Sequence, residues 1–279
     1  MIALTSYINL DDCEWRMQNK YVGDVGDFGK YGLLRRITGQ TPLMHPDIRL
    51  GVHWYLTPDD RGPDGRHIGY LEDRSEFRTC DEPLYESLTA LVFQRKARLV
   101  SAVETSGLLP QGTNYYSQCL TYDDLPWKGP KTAEKRLERR TIWMNEAVEV
   151  LGDNEVVFLD PDNGIEIDLN KKHRAKAPKY TFADEIAPFI RKGKTVIFYQ
   201  HLGMPIGGID AYLQKSLEQL HENVDLGLTQ RPCCCIFKRW GNRAFMILPA
   251  GEIGSTVIER SSLMIAGEHW SKHFRGIGI

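Results

Sequence analysis

The sequence lacks any apolar run that approaches the roughly 20 residues needed to cross a bilayer, so we expect no membrane-spanning segment. Its first stretch has no basic region and carries three acidic residues between positions 11 and 14, which is not the pattern of a secretory signal. None of the six cysteines forms a C-x-x-C pair, and the adjacent Cys233, Cys234 and Cys235 suit neither a zinc site nor a disulfide framework. These absences favour a reduced, cytoplasmic compartment.

Charge of one sign is not in excess either, because 37 acidic and 35 basic residues give a formal net charge of -2. The overall balance therefore names no partner, and any surface for nucleic acid must be local. The 279 residues are 42% hydrophobic, which is enough for a large core. We predict an N-terminal extension over residues 1–16 and a single α/β catalytic domain over residues 17–279, and the sequence specifies no oligomeric state.

Apolar runs alternate with helical patterns along the main body. Buried strands are predicted over 48–56, 155–159 and 195–199. Helical spacing is found over 84–98, 128–150, 184–191 and 211–221. Two later strands, 233–238 and 243–249, flank Trp240-Gly241-Asn242 and predict a hairpin. This order predicts a three-layer α/β/α sandwich with a mostly parallel central sheet and an antiparallel hairpin at its edge.

The turn Asp160-Pro161-Asp162-Asn163-Gly164 directly follows the apolar strand 155–159. In open α/β sheets the ligand crevice lies outside the carboxyl ends of the strands, so this turn is a candidate active site. Asp160 and Asp162 can act as a general base or stabilise a developing cation, and Asn163 can orient a water or read a base edge. Glu166, just beyond the turn, is a candidate for substrate binding. The competing interpretation is ordinary turn chemistry.

A second loop, Gly23 to Lys30, is rich in glycine and precedes a helix for which Asp27 is the expected N-cap. A helix N-terminus favours an anion such as phosphate, which Asp24 and Asp27 would oppose unless they act on a sugar or a water. We take Asp24 as a catalytic candidate and Asp27, Phe28 and Lys30 as candidates for substrate binding. The alternative is a tight turn that only caps the helix.

The third loop, Tyr199-Gln200-His201, leaves a predicted strand. Gln200 can bind a leaving group, and His201 is a catalytic candidate because imidazole exchanges protons near neutral pH. Tyr55, beside Trp54, offers an aromatic face for a base, although core packing explains such rings equally well. Glu104 is a further candidate for substrate binding.

Positive charge is concentrated in two places that could hold a phosphate backbone. The first cluster follows the Asp160 turn and the second lies on a predicted helix; the candidates for contacts with the DNA backbone are Lys171, Lys172, Arg174, Lys176, Lys135 and Arg139. A solvated loop and a solvated helix face are the alternatives.

The segments KYVGDVGDFGKYGLLR, FLDPDNGIE and FYQHLG together resemble a group of bacterial proteins, over residues 17–279. That group is similar to an anti-phage DNA glycosylase family that removes glucosylated hydroxymethylcytosine from phage DNA. The resemblance implies a uracil-DNA-glycosylase-like α/β/α sandwich with a short parallel sheet, modified phage DNA as the partner, and no cofactor or metal. Uracil-type enzymes carry a different first motif and a different histidine motif, so the resemblance assigns no residue-level roles.

The residues can be interpreted in the same way without the resemblance. Cleavage of an N-glycosidic bond builds oxocarbenium character on the sugar, which a nearby carboxylate stabilises. Gln200 and His201 would steady the departing base after it is flipped out of the stack. A glucosylated base needs a large pocket with polar groups, for which the candidates are Asp24, Asp27, Asn163 and Glu166.

Three other functions remain open. The order of elements also resembles S-adenosylmethionine-dependent methyltransferases, and Asp160-Pro161-Asp162-Asn163 is similar to their D-P-P-[YF] motif, with Asp162 and Asn163 as departures. A metal-dependent nuclease would hold Mg²⁺ on Asp24, Asp27, Asp160 and Asp162. A non-catalytic DNA-binding or defence scaffold is the fourth possibility.

Overall fold

The computed structural model describes most of the chain from Met17 to Gly278. The described parts are residues 17–41, 44, 46–58, 65–72, 75–129, 131–203, 205–223, 228, 230–241 and 243–278. The predicted extension over residues 1–16 lies outside them. None of the described helices is long and apolar enough to cross a membrane.

The strands of the described parts form two sheets. They are β1 Leu50–His53, β2 Asn114–Tyr116, β3 Val156–Leu159, β4 Gly164–Glu166, β5 Tyr180–Phe182, β6 Thr195–His201, β7 Cys233–Phe237, β8 Arg243–Leu248 and β9 Phe274–Ile277. The central sheet has seven strands in the order β2-β1-β3-β6-β8-β7-β9. The short strands β4 and β5 pair in parallel as a separate sheet.

The first helix precedes the first strand, and the other helices lie between strands in the chain; together they cover both faces of the central sheet. They are α1 Val25–Ile37, α2 Ser75–Arg78, α3 Glu82–Thr89, α4 Val100–Thr105, α5 Thr132–Leu151, α6 Ala183–Arg191, α7 Ile209–Asn223 and α8 Gly254–Ala266. The single helix predicted over 84–98 is shorter than expected, because α3 passes into one π-helical turn, Ala90–Gln94, and ends there.

Strand direction confirms the mostly parallel sheet. Strands β2, β1, β3 and β6 are parallel neighbours, whereas β8 runs antiparallel between β6 and β7. The hairpin β7–β8 is present, but it does not form the edge that the sequence predicts, because β9 pairs antiparallel with β7. The added strand covers the backbone of β7, whose five residues are all buried and would otherwise form an exposed apolar edge.

Side chains alternate between the two faces of the sheet and build a core on each. Val156 and Phe158 belong to the core under α1, α3 and α8, while Val157 and Leu159 belong to the core under α5, α6 and α7. This double burial is why the sequence of β3 is apolar without interruption.

The same alternation explains the three adjacent cysteines. Cys233 and Cys235 point into the first core and Cys234 into the second. All three are buried free thiols, and burial raises the pKa of Cys233 and of Cys234 to about 12. They therefore act as small apolar side chains in an inner strand.

Gly26 and Gly29 lie inside α1 and not in a loop, whereas Gly23 precedes the helix. The prediction of Asp27 as the N-cap is wrong, since the Asp24 carboxylate caps the helix by accepting a hydrogen bond from the Gly26 amide at 3.0 Å. The error arose because glycine is a poor helix former, and here its small size outweighs that preference. A Cβ on Gly29 would lie 2.7 Å from the ring of Phe237, so glycine lets α1 pack closely on the sheet.

His53, at the end of β1, is fully buried, and both of its ring nitrogens lack a hydrogen-bond partner. Its ring packs on Tyr55, Tyr116 and Trp143, and this burial lowers its pKa well below the ordinary value. In the unfolded chain this histidine binds a proton below about pH 6.5, whereas in the folded chain it stays neutral. The free energy of unfolding therefore decreases as the pH is lowered.

We therefore expect the free energy of unfolding to fall between pH 7 and pH 5, and His53→Phe to reduce that slope without loss of stability at pH 7. Urea unfolding at both pH values measures the slope. His221→Gln, on an exposed position of α7, is the matched control. An unchanged slope in His53→Phe would contradict the expectation.

Candidate active site

A cavity of about 710 Å³ lies at the carboxyl ends of β1, β3 and β6, within the size range of small-molecule sites. The start of α1, the turn after β3, the end of β6 and the β7–β8 turn form its walls. The polar and aromatic side chains that line it include Asp24, Asp27, Lys30, Tyr31, Trp54, Arg66, His67, Asp160, Asp162, Asn163, Lys179, Tyr199, His201, Trp240 and Arg243. The three loops singled out in the sequence thus lie together around one cavity.

A buried lysine joins two of these loops. Lys30 Nζ lies 2.7 Å from Asp160 Oδ2 and 3.0 Å from Asp27 Oδ1. Asp27 also accepts hydrogen bonds from the Tyr31 hydroxyl at 3.1 Å and from the Gly23 amide at 3.2 Å. Asp27 is thus held by protein donors on both of its oxygens and supports Lys30.

Burial and neighbouring charges shift the pKa values of Lys30 and Asp160 in opposite directions. Burial alone lowers the pKa of Lys30, but the adjacent Asp160 and Asp27 carboxylates outweigh it and raise that pKa above its ordinary value. Burial raises the pKa of Asp160, and the Lys30 ammonium offsets only part of that rise. The three groups therefore form one charged cluster in the floor of the cavity.

Asp24 connects the start of α1 to the β7–β8 turn through Arg243. Its carboxylate accepts hydrogen bonds from the amides of Gly26 and His67, each at 3.0 Å, and pairs with Arg243 Nη2 at 3.2 Å. The other guanidinium nitrogen, Nη1, donates to the carbonyls of Arg239 at 3.0 Å and Trp240 at 3.3 Å. Asp24 thus fixes the β7–β8 turn against α1.

Asp162 lies in the turn after β3, near a lysine of the next loop. Lys179 Nζ lies 3.8 Å from Asp162 Oδ2, which is longer than a direct hydrogen bond. The adjacent Asn163 is fixed through its backbone, since its amide donates to the Lys179 carbonyl at 2.9 Å. Both side chains line the cavity.

Gln200, predicted to bind substrate, supports this turn from behind and is not among the residues that line the cavity. It is buried, its Oε1 accepts from the Ile165 amide at 3.0 Å, and its Nε2 donates to the Asn163 carbonyl at 3.3 Å. Strand alternation is the reason, because Tyr199 and His201 point into the cavity and Gln200 points away. Tyr199 Oη lies 3.4 Å from His201 Nδ1, and burial raises the pKa of Tyr199 to about 12.

Four other predicted substrate-binding residues lie outside the cavity lining. Phe28 stacks in the core on Trp270, and the buried Tyr55 hydroxyl donates to Thr181 at 2.9 Å on the opposite side of the sheet. Glu166 pairs with Lys171 at 2.8 Å. The fourth, Glu104, acts through a neighbour, since it accepts from the indole of Trp54, whose ring lines the cavity.

Half of the predicted DNA-backbone residues are held in ion pairs. Lys171 pairs with Glu166, Lys172 with Asp184 at 2.6 Å, and Arg139 with Asp124 at 2.8 Å. In each pair a carboxylate lies next to the lysine or arginine that was expected to bind a phosphate. The carboxylate weakens the attraction of that cation for a phosphate. The exposed members of the set are Arg174, Lys176 and Lys135.

The sequence did not single out Arg243, Trp240, Arg66 and His67 as site residues, although all four line the cavity. Arg243 follows the predicted hairpin turn that contains Trp240. This turn was the one feature of the sequence from which a role of these two residues in the site could have been predicted. Nothing local marks Arg66 and His67, which reach the cavity because the His67 amide binds Asp24.

Charge is graded from the floor of the cavity to its rim. The side chains of Asp24, Asp27, Asp160 and Asp162 are only 4–13% exposed. Lys30, at 11%, shares the floor with them, whereas Arg243 and Lys179 are 19% and 29% exposed and Arg66 is exposed. The floor therefore carries more negative than positive groups, and the rim is positive.

The nuclease hypothesis needs a set of carboxylates around a cation, and here Lys30 stands between two of the four. Among the described residues, no group of three histidine, cysteine or acidic side chains is arranged to hold a metal ion. The arrangement is instead suited to binding a ligand whose inner part is neutral or becomes positive and whose outer part is anionic.

Comparison with known proteins adds a distant structural likeness. No family model and no curated protein matches the sequence. Among solved structures, protein LPL1258 of Legionella pneumophila str. Philadelphia 1, from family DUF519, is similar at a TM-score of 0.39 and 10% identity. The alignment covers 91% of this chain and 96% of that chain, and a likeness at this level carries no inference about activity.

Proposed function

We propose that this chain is a DNA glycosylase that hydrolyses the N-glycosidic bond of a modified base in phage DNA. The observation that carries the proposal is the graded charge of the cavity, with carboxylates in the floor and cations at the rim. A sugar that develops oxocarbenium character is stabilised beside the carboxylates. The phosphates on either side of it are stabilised by the cations at the rim.

Within this arrangement Asp162 is the favoured general base. It lines the cavity in the turn after β3, whereas Asp160 is engaged directly by the Lys30 ammonium at 2.7 Å. Asp162 would activate the water that attacks the anomeric carbon. His201 and Tyr199, which line the same cavity from the end of β6, would donate to the departing base.

The size of the cavity supports a base with a substituent. At about 710 Å³ it lies in the middle of the range for sites that enclose drug-sized ligands, which are larger than an unmodified pyrimidine. Polar groups on several walls, among them Asn163, His67 and Asp24, would suit a hydroxylated substituent such as a sugar.

The test is incubation of the purified chain with modified and plain phage DNA without any cofactor. We expect a free modified base in the mass spectrum and alkali-labile abasic sites in the strand. Intact strands that yield no free base from any modified DNA would overturn the proposal.

A methyltransferase is the second candidate, and the strand order favours it. The reversed strand β8 lies between β6 and β7, as in the class that the element order resembles. Trp54, Tyr55 and Leu56 follow β1 and are all buried, whereas this class presents a glycine-rich turn to S-adenosylmethionine there. The described residues at this position therefore do not fit that cofactor. Transfer of a labelled methyl group to DNA would favour this candidate over the glycosylase.

We expect Arg174→Ala with Lys176→Ala to weaken DNA binding for all sequences alike, because these exposed side chains would contact phosphates. Titrations at several salt concentrations should show a slope of log K against log salt that is smaller by about 1 to 2. Lys135→Ala tests the second cluster separately. An unchanged slope in the double variant would place the DNA path elsewhere.

A further inference from the structure

We infer that Trp240 stacks on the base next to the target nucleotide, so that the substrate is a nucleotide within a strand and not a free nucleoside. The inference rests on the proposed function, because it assumes that the cavity receives a nucleotide. Trp240 lies in the β7–β8 turn at the cavity rim, and its side chain is 41% exposed. A large indole that is this exposed beside a site is the kind of surface on which unpaired bases stack.

The position of Trp240 is fixed by several contacts. Arg243 donates to the carbonyl of Trp240 at 3.3 Å and pairs with Asp24, which ties the turn to α1. The indole lies nearly parallel to the rings of His67 and Phe77, with centroids 6.2 Å and 6.0 Å away. Because the ring is already ordered, a base that binds to it loses little further entropy.

The backbone at this residue is unusual as well. Trp240 has a φ of 44°, in the left-handed region that bulky residues rarely adopt. Glycine would fit such a turn without strain, so the chain holds an aromatic side chain at the rim at an energetic cost. Such an arrangement is typical of residues that serve a site.

The charge around Trp240 fits a strand and not an isolated base. Arg66 and His67 are exposed beside it and line the same rim, and Lys179 lines the cavity near Asp162. A nucleotide within a strand has phosphates on both sides, so cations at separate points of the rim can each meet one. A free nucleoside has no phosphate and would leave these cations without a ligand.

A second exposed tryptophan provides the matched control. Trp127 is 71% exposed, lies outside the cavity lining, and packs against Arg136 at 5.9 Å. If loss of any exposed indole weakens DNA binding, Trp127→Ala and Trp240→Ala should weaken it equally. If a base stacks beside the cavity, only Trp240→Ala should weaken it.

The test measures binding of a fluorescent 15-residue thymidine oligomer, with thymidine monophosphate as a competitor. We expect Trp240→Ala to bind the oligomer about tenfold more weakly, Trp240→Phe to stay within about threefold of the wild type, and Trp127→Ala to be unchanged. The affinity for the monophosphate should be equal in all four proteins, because Trp240 contacts the neighbouring base. Thermal melting confirms that each variant is folded.

Two results with the Trp240→Ala variant would overturn the inference. One is unchanged oligomer binding in Trp240→Ala, and the other is an equal loss for oligomer and monophosphate, which would place the indole on the target base itself. Failure of the wild type to bind the oligomer would overturn it too. Base release is measured on the same proteins as an independent test of the proposed function. If oligomer binding depends on Trp240 but no base is released, the stacking inference stands and the glycosylase proposal is rejected.

Discussion

Asp162→Asn is expected to lower the rate of base release by about 100-fold or more, since general acid–base catalysis contributes about 10²–10⁴ in rate. Asparagine keeps the shape of the side chain but cannot accept a proton from water. Asp162 forms part of the cavity lining, whereas Asp160 and Asp27 are engaged by the buried Lys30. Its loss should therefore affect the chemical step and leave the fold intact.

Single-turnover release of base and equilibrium binding of the same DNA measure the two effects separately. Asp47→Asn is the matched control, because Asp47 pairs with Arg260 at 2.7 Å outside the cavity lining. Its release rate should equal that of the wild type. Lost binding with a normal release rate of the bound DNA would contradict the role of Asp162 as the base.

Lys30→Met is expected to cause the largest loss of stability, about 3–5 kcal/mol, which is the usual effect of removing one partner from a buried ion pair. Lys30 is buried and stands between Asp27 and Asp160, at 3.0 Å and 2.7 Å. Without the ammonium, two carboxylates would face each other across the floor of the cavity. Methionine retains most of the volume, so the loss would reflect charge and not packing.

Urea unfolding at pH 7 measures this loss, with the exposed Lys135→Met as the control. Adding Asp160→Asn to Lys30→Met removes one of the uncompensated charges and should recover part of the stability, so the two substitutions should not be additive. A loss below about 1 kcal/mol in Lys30→Met, the range of surface pairs, would show that the cluster is solvated and not buried.

The class of fold and the place of the site could be predicted from the sequence because both depend on local patterns. Uninterrupted apolar runs such as Val156–Leu159 predict strands covered on both sides, and parallel strands bring their carboxyl ends to one edge. The direction of Gln200 was predictable as well, since alternation along β6 places it opposite Tyr199 and His201.

The partners of the site residues could not be predicted, since they come from distant parts of the chain. Lys30 and Asp160 are 130 positions apart, and no local pattern links a lysine in α1 with a turn after β3. The glycines within α1 led to a different error, since the segment that contains them was predicted to be a loop. Their packing against Phe237 and Trp270 decides the conformation of α1, and such tertiary contacts override propensity.

The pairing of Asp24 with Arg243 spans 219 positions and has a consequence for synthesis of the protein. A nascent chain emerges from the ribosome N-terminus first, so α1 and the turn after β3 are available long before the β7–β8 turn that completes the cavity wall. A growing polypeptide would therefore have no enclosed pocket until the β7–β8 turn has left the ribosome. Translation itself would delay any use of the cavity until this turn has been synthesised.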